Sequence, residues 1–238
     1  MFFFDPLYLI LMLPAFAFVM LAQFMVKRAY NKWSQVGNRR AMSGAQATQL
    51  LMQMNGLTDI RIESTPGDLS DHYDPRHNIL RLSPAVGGGR SVASLAIAAH
   101  ELGHAEQDHR GYALLKARSA IVPAVSIGSN LGYFLIMGGL LLAYFVDTDF
   151  GANLAWMGVA LFSLSAVFAL ITLPVEFDAS RRAIRMLDNA GLLIDERERN
   201  GARAVLNAAA LTYVAALGAA LANLLYYVLL VAGISRRD

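Results

Sequence analysis

The feature that most constrains this chain is a set of four long apolar blocks, at 7–26, 120–146, 152–175 and within 204–234. None of the blocks contains Asp, Glu, Lys, Arg or His. A bilayer core about 30 Å thick is crossed by about 20 apolar residues of helix, so each block is long enough to span a membrane. The overall content of 56% hydrophobic and 16% charged residues agrees with this interpretation. The pattern predicts a mainly α membrane protein with about four transmembrane helices.

The basic residues predict how these spans are oriented. Lys and Arg collect in the connecting segments 27–40 and 181–203, whereas the acidic turn at 147–151 has neither. Positive charge marks the cytoplasmic side, so we expect both basic segments inside the cell and a multi-pass protein of the cell membrane. Arg236 and Arg237 do not fit this orientation, because four spans place these two basic residues outside the cell. No basic residue precedes the first block, which favours an uncleaved anchor over a signal peptide.

The segment between the first two blocks carries helix and strand signals. Residues 43–55 predict a short helix that Ser43 caps and Gly56 ends. Residues 59–64 and 78–83 alternate apolar and polar side chains, as half-buried strands do, and the Gly-, Pro- and Asp-rich stretch between them predicts a loop. We therefore expect a small cytoplasmic α+β portion. The predicted segments are an anchor (1–26), the α+β portion (27–119), a transmembrane hairpin (120–175), a cytoplasmic segment (176–203) and a C-terminal transmembrane helix with its tail (204–238).

A metal-binding pattern, HELGH at 100–104, lies on a predicted helix that Ser91 caps. Four residues are slightly more than one helical turn, so His100 and His104 project from one face and can reach the same Zn²⁺. Glu101 lies about 100° around the helix from His100, where it can act as a general base without being a ligand. The chain has no cysteine, so any such metal is held by His, Asp or Glu.

A catalytic zinc site needs a third protein ligand, and Glu176 is our candidate. It follows the third block directly, and two spans separate it from His104, so the chain returns to the same membrane face. The alternative for Glu176 is an ordinary carboxylate at the membrane interface, paired with Arg181 or Arg182. For the HELGH pair, the alternative is two solvated histidines on a helix. The almost uncharged helix before position 100 favours a shared metal.

The sequence resembles the YugP-like family of neutral zinc metallopeptidases and, more distantly, the HtpX and CAAX prenyl proteases. This resemblance implies one zinc ion held by His100, His104 and Glu176, with Glu101 as the catalytic base. It covers roughly 43–221 and is carried by SGAQATQLLMQMNGL, LSDHYDPRHNILRLSP, SVASLAIAAHELGHAEQ, LPVEFDASRRA and AALTYVAA.

One position departs from the more distant relatives. In HtpX-like proteins an Asp that supports the site follows the ligand Glu by four positions, and here that position is Ser180. Asp178 is acidic but is predicted on a different helical face. The sequence therefore assigns no residue that orients the ligating histidines.

Other polar residues near the motif have structural interpretations. His72 and its neighbours in the predicted loop are expected to fix an Asp-Pro turn by local hydrogen bonds rather than to bind metal. His109 lies off the face that His100 and His104 share, and we expect it to be solvated. By analogy with other zinc peptidases, the predicted strand 78–83 could pair with an extended substrate.

These observations predict a membrane zinc metalloendopeptidase with its active site on the cytoplasmic side. The expected partners are the lipid bilayer and a peptide or membrane-protein substrate. No nucleic acid is expected, because the basic residues are interpreted as orientation signals for the spans. Two alternatives are a metal-ion transporter and a membrane hydrolase acting on a non-peptide bond. The transporter is disfavoured because all four blocks lack ionisable residues.

Overall fold

The computed structural model describes residues 5–146 and 149–234. In chain order the elements are α1 (Pro6–Ser34), α2 (Gly44–Asn55), β1 (Arg61–Ser64), β2 (His72–Asp74), β3 (Ile79–Leu82), α3 (Pro84–Gly87), α4 (Val92–His109), α5 (Ala113–Val146), α6 (Asp149–Asn189) and α7 (Glu196–Ile234).

The predicted fold class is confirmed: the protein is a mainly α membrane protein with a small sheet. The four apolar blocks lie in α1, α5, α6 and α7, each long and apolar enough to cross a bilayer. The helices are longer than the blocks, and α6 continues well beyond position 175. Asp149 to Gly151 begin α6 rather than lie in a turn. Residues 147 and 148 of the predicted turn, and the basic tail residues Arg236 and Arg237, lie outside the described residues.

The chain divides into two compact units. The first, which we call the span unit, comprises the residues up to Leu21, Ala117–Leu173 and those from Tyr213 onward. The second, which we call the motif unit, comprises Ala22–Lys116 and Pro174–Thr212.

In the span unit, α5 and α6 approach each other at glycines. A Cβ added to Gly132 would lie 2.8 Å from the carbonyl oxygen of Gly158, and one added to Gly158 would lie 2.6 Å from the nitrogen of Ile136. The same kind of contact recurs between Gly139 and Gly151. Small residues at helix crossings let backbones approach closely, which is how helices associate in lipid without a hydrophobic driving force. These glycines therefore fix where the two helices pack.

In the motif unit, the predicted helix after Ser43 is confirmed as α2. Ser43 and Gln46 form a reciprocal capping box, with each side chain bonded to the other's backbone N–H. Gly56 ends the helix in the left-handed conformation, with φ of 68°, which glycine adopts at little cost. The predicted ends of α2 therefore follow from local sequence alone.

The sheet differs from the prediction in one strand. β1 and β3 occur as expected, but His72–Asp74, predicted as loop, forms β2. The strand order is β1-β3-β2, with β1 parallel and β2 antiparallel to β3. β3 is therefore central, and the hypothesis that it pairs with substrate is wrong because both of its edges are already occupied. The three residues of β2 are too few for an alternation to be visible, so only their pairing with β3 makes them a strand.

Helix α4 forms the centre of the motif unit's core. Ser91 caps it by accepting a hydrogen bond from the Ser94 backbone, as predicted. Leu95 and Leu102 of α4 are fully buried in a cluster that includes Met186 of α6. A helix held on most of its surface has little freedom to rotate, so the core fixes the direction in which the HELGH side chains point.

Candidate metal centre

The two histidines of the motif face the same point, as their spacing predicts. His100 and His104 lie on successive turns of α4, with ring centroids 4.8 Å apart and ring planes at 82°. Their side chains are 13% and 12% exposed, so solvent reaches both rings.

Glu176 of α6 completes a cluster with these rings. Its Oε2 lies 3.3 Å from His100 Nε2 and 3.5 Å from His104 Nε2. One potential ligand atom from each of the three residues lies within 4.8 Å of the other two. The Glu176 carboxylate is almost fully buried, and such a group is stable only beside positive charge or hydrogen-bond donors. The structure thus brings the three predicted ligands together.

The donor set fits a tetrahedral zinc ion. Zinc bonds to nitrogen and oxygen are about 2.0–2.1 Å long, and the edges of such a tetrahedron are about 3.3 Å. The two distances from Glu176 Oε2 to the imidazoles, 3.3 and 3.5 Å, are close to that edge. Two imidazoles and one carboxylate also leave a fourth position free, as a catalytic site requires.

Glycine at position 103 explains how α6 comes so near. A Cβ at Gly103 would lie 2.6 Å from the carbonyl oxygen of Ala179, which is well inside contact distance. Any larger residue would push α6 away from α4. Because Glu176 lies on α6 only three residues before Ala179, its distance from the imidazoles depends on this contact.

The outer nitrogen of each imidazole has a hydrogen-bond partner. His104 Nδ1 lies 3.0 Å from Gln107 Oε1, and His100 Nδ1 lies 3.3 Å from Ser180 Oγ. Partners of this kind fix the tautomer and the ring orientation of metal-binding histidines. With both Nδ1 atoms engaged, both Nε2 atoms are directed towards Glu176.

Gln107 is itself held from behind. It is fully buried, and its amide nitrogen donates to the Val175 carbonyl (2.8 Å) and to Asp178 Oδ2 (2.9 Å). Asp178 in turn accepts a hydrogen bond from Arg182. Because the amide nitrogen is committed to two acceptors, the Gln107 oxygen must accept from His104, so the hydrogen of that ring resides on Nδ1. Asp178, which the sequence could not place, thus acts on His104 through Gln107.

Glu101 lies beside the cluster without being part of it. Its Oε2 accepts the backbone N–H of Tyr73 in β2, at 3.1 Å. Burial raises the pKa of Glu101, the positive charges of His100 and His104 lower it, and the charge of Glu176 raises it further. One backbone donor therefore fixes the Glu101 carboxylate next to the ionisable side chains of His100, His104 and Glu176.

The same charges act on the second imidazole. Burial by itself lowers the pKa of His104, but the hydrogen bond to Glu176 and the charges of Glu101 and Glu176 raise it above its ordinary value. When both imidazoles are neutral, as metal ligands must be, the two carboxylates leave the cluster with negative charge that favours a cation.

The other histidines lie away from the cluster. His72 Nδ1 is 2.8 Å from the Ser70 carbonyl, and His77 pairs with Asp74, whose other oxygen accepts the Arg76 backbone N–H. The predicted structural role of this turn is confirmed. His109 is exposed, as predicted.

Three contacts in the site were not predicted from the sequence. Gln107 carries a visible signal, because it follows His104 by three residues and so lies on the same helix face. Ser180 was singled out only as a departure from relatives. Tyr73 could not be found at all, because its backbone N–H reaches Glu101 only through the pairing of β2 with β3.

The model of the family described as "Putative neutral zinc metallopeptidase" matches residues 8–232. The chain belongs to this family. It is also 40% identical over 224 residues to a protein of Bacillus subtilis (strain 168) described as "Putative membrane protease YugP", which covers 94% of this chain and 96% of that relative. No solved structure matches the chain.

Membership confirms the resemblance inferred from the motifs. The protein is a membrane protein of a zinc metallopeptidase family, and its apolar helices agree with that location.

Proposed function

We propose that the protein is a multi-pass membrane zinc metalloendopeptidase. One zinc ion per chain is held by His100, His104 and Glu176, and Glu101 is the general base. The observation that carries this proposal is the convergence of three ligand atoms within 4.8 Å of one another, next to a carboxylate that is not one of them. A structural zinc site would instead use four protein ligands.

Zinc, when bound, supplies a Lewis acid that makes water nucleophilic near neutral pH. The remaining chemistry belongs to the chain. Glu101 removes a proton from the attacking water and later delivers it to the leaving amine. The Tyr73 N–H holds one oxygen of this carboxylate, so the group keeps its position while the proton is transferred. Gln107 and Ser180 keep the two imidazoles directed at the metal.

The edge of β2 supports a way to bind substrate. β2 is an edge strand, and the Tyr73 N–H is directed away from β3 towards Glu101. An extended peptide added along this edge would lie beside Glu101 and would bind through backbone groups of β2 other than the Tyr73 N–H, which Glu101 occupies, with little demand on its sequence. This role replaces the one first considered for β3.

The position of Glu176 supports membrane-proximal substrates. It immediately follows the apolar block 152–175, so the centre lies within about one or two helical turns of the bilayer core. Membrane proteins and their exposed segments are therefore the proposed substrates. The basic residues in 27–40 and 181–203 support a centre on the cytoplasmic side of the cell membrane.

Glu101→Gln tests this function. The purified full-length chain is loaded with zinc in detergent and given fluorescent casein and a single-span membrane protein. We expect cleavage to fall by about 10²–10⁴-fold, because the proton carrier is lost. Zinc content should be unchanged, because Glu101 is not a ligand. The matched control is Glu196→Gln, whose side chain is 72% exposed. Equal cleavage by the wild type and Glu101→Gln would contradict the assigned mechanism.

A further inference from the structure

A second site lies in the motif unit, in a groove between α6 and α7. Its volume is about 260 Å³. One wall is formed by residues of α6 at helical spacing and the other by residues of α7. Its polar lining comprises Ser180, Arg181, Arg203 and Asn207, and its apolar lining includes Phe177 and Leu206. No acidic side chain is among the described residues that line it.

The positive charge of this groove is only weakly compensated. The guanidinium of Arg181 lies 3.8 Å from Asp178, a carboxylate that Arg182 already neutralises at closer range. Within 5–146 and 149–234, no carboxylate pairs with Arg203. Two arginines with spare donors, beside a serine hydroxyl and an asparagine amide, form a site for a phosphate or another oxyanion.

The sequence positions of the arginines indicate where this anion lies. Arg181 follows Leu173, the last span-unit residue of α6 before it, by eight residues, and Arg203 precedes Tyr213, the first span-unit residue of α7, by ten, which is about 12 and 15 Å along the helices. Their long side chains can extend from these positions towards the lipid headgroups, as arginines near the ends of membrane helices do. Phe177, which is 41% exposed, supplies apolar surface next to the arginines. An anionic phospholipid matches both parts of the lining. Its phosphate would lie against the polar side chains, and its glycerol and upper acyl carbons against the apolar ones.

The groove also reaches the metal centre. Ser180 lines it, and the same hydroxyl lies 3.3 Å from His100 Nδ1. A phosphate that accepts the Ser180 hydrogen leaves the oxygen lone pairs to accept from His100, and hydrogen bonds in such a chain strengthen one another. An anion in the groove would therefore stabilise the orientation of one zinc ligand.

We propose that this groove binds the phosphate of an anionic phospholipid through Arg181 and Arg203, and that Ser180 couples its occupancy to zinc binding at His100. The coupling rests on the proposed function of the centre, whereas the lipid site does not. Anionic lipid then makes zinc retention, and with it activity, depend on the membrane around the protein.

Lipid titration tests the site. The full-length chain in detergent micelles is titrated with phosphatidylglycerol or phosphatidylcholine, and bound lipid is counted by native mass spectrometry. We expect tighter binding of phosphatidylglycerol. We also expect an about fivefold loss in Arg181→Gln or Arg203→Gln, which corresponds to about 1 kcal/mol per basic residue. The matched control is Arg197→Gln, which removes an exposed charge from α7 outside the groove and should leave binding within about twofold.

Three results of this titration would overturn the lipid site. They are equal binding of the two lipids, an equal loss in Arg197→Gln, and displacement of phosphatidylglycerol by inorganic phosphate at equal concentration. The last result would show a site for free phosphate, because acyl chains would then contribute nothing.

Zinc competition with a chelator, in nanodiscs of either lipid, tests the coupling. In the wild type, we expect zinc to bind about fivefold more tightly in phosphatidylglycerol than in phosphatidylcholine, which is at the low end of typical coupling between two sites. In Ser180→Ala, we expect the same zinc affinity in both lipids. An unchanged wild-type affinity would overturn the coupling. The lipid titration is repeated on zinc-free Glu101→Gln. This measurement requires neither bound metal nor peptide cleavage. Failure of the peptidase function therefore cannot be mistaken for failure of the lipid site.

Discussion

In the span unit, α5 and α6 meet at glycines that pack against backbone atoms and apolar side chains, whereas in the motif unit a glycine contact lies beside a network of buried charges. Gly132 and Gly158 let the backbones of α5 and α6 touch. Gly103 does the same for α4 and α6, but there the contact also determines the distance from Glu176 to two imidazoles. The difference shows that close helix contact at a glycine can serve helix association alone or can also set the geometry of a metal centre.

The side chains around the glycine contacts also differ between the two units. Side chains near the first are apolar, and many in the span unit are exposed, such as Phe134 at 69%, as expected for residues that face lipid. Behind the second, buried Glu106 pairs with Arg182 and Arg185, while Asp178 and Gln107 connect Arg182 to His104. Buried charges are tolerated only when paired, so this network must be complete to be stable.

Glu176→Gln should give the largest effect on the motif unit. The amide is a much poorer zinc ligand than the carboxylate, so zinc affinity should fall by more than the about 10–100-fold typical for residues that merely orient a ligand. Zinc content after dialysis and cleavage of casein would measure this. The informative comparison is Glu101→Gln, which should lose cleavage but keep zinc. Full zinc occupancy in Glu176→Gln would exclude Glu176 as a ligand.

Gln107→Ala should have the next largest effect. Removing the partner of His104 Nδ1 frees the ring and leaves Asp178 without one donor, so zinc affinity should drop by about 10–100-fold. Chelator competition measures this directly, and the thermal midpoint shows whether the chain remains folded. Gln53→Ala, on the exposed face of α2, is the matched control. An unchanged zinc affinity would mean that the hydrogen bond to His104 has no positioning role.

Paired glycine substitutions test the comparison itself. Gly103→Ala and Gly132→Ala each force a Cβ against backbone atoms, and each should destabilise the protein by about 1–3 kcal/mol. Only Gly103→Ala should also weaken zinc binding, because it alone separates the helices that carry ligands. Thermal unfolding and zinc titration of both variants are needed. An equal loss of zinc affinity in both variants would show that the Gly103 contact does not set the geometry of the metal centre in particular.

Ser43→Ala should give the smallest effect. It removes the capping box of α2 and should cost about 1 kcal/mol, without changing zinc affinity or activity per folded molecule. Thermal unfolding of the zinc-loaded chain would detect the loss. If the free energy of zinc binding fell by more than the free energy of unfolding, α2 would contribute directly to the geometry of the metal centre.

Sequence reasoning succeeded where the signal is local. Block length identified the four apolar helices, and Ser43, Gly56 and Ser91 marked helix ends because caps depend on neighbours a few residues away. It missed β2, whose three residues form a strand only by pairing with β3. The site shows the same limit, because the contacts of Tyr73 and Ser180 join segments far apart in the chain.

By itself, the sequence determined the apolar helices, the helical ends and the one-turn spacing of His100 and His104. These depend on length, composition and helix period, which act over a few residues. Only the tertiary structure decided that Glu176 meets the imidazoles, that Gln107 links Asp178 to His104, and that β2, unlike β3, lies at an edge of the sheet. Such contacts depend on how closely backbones pack, and a chain pattern does not encode that distance.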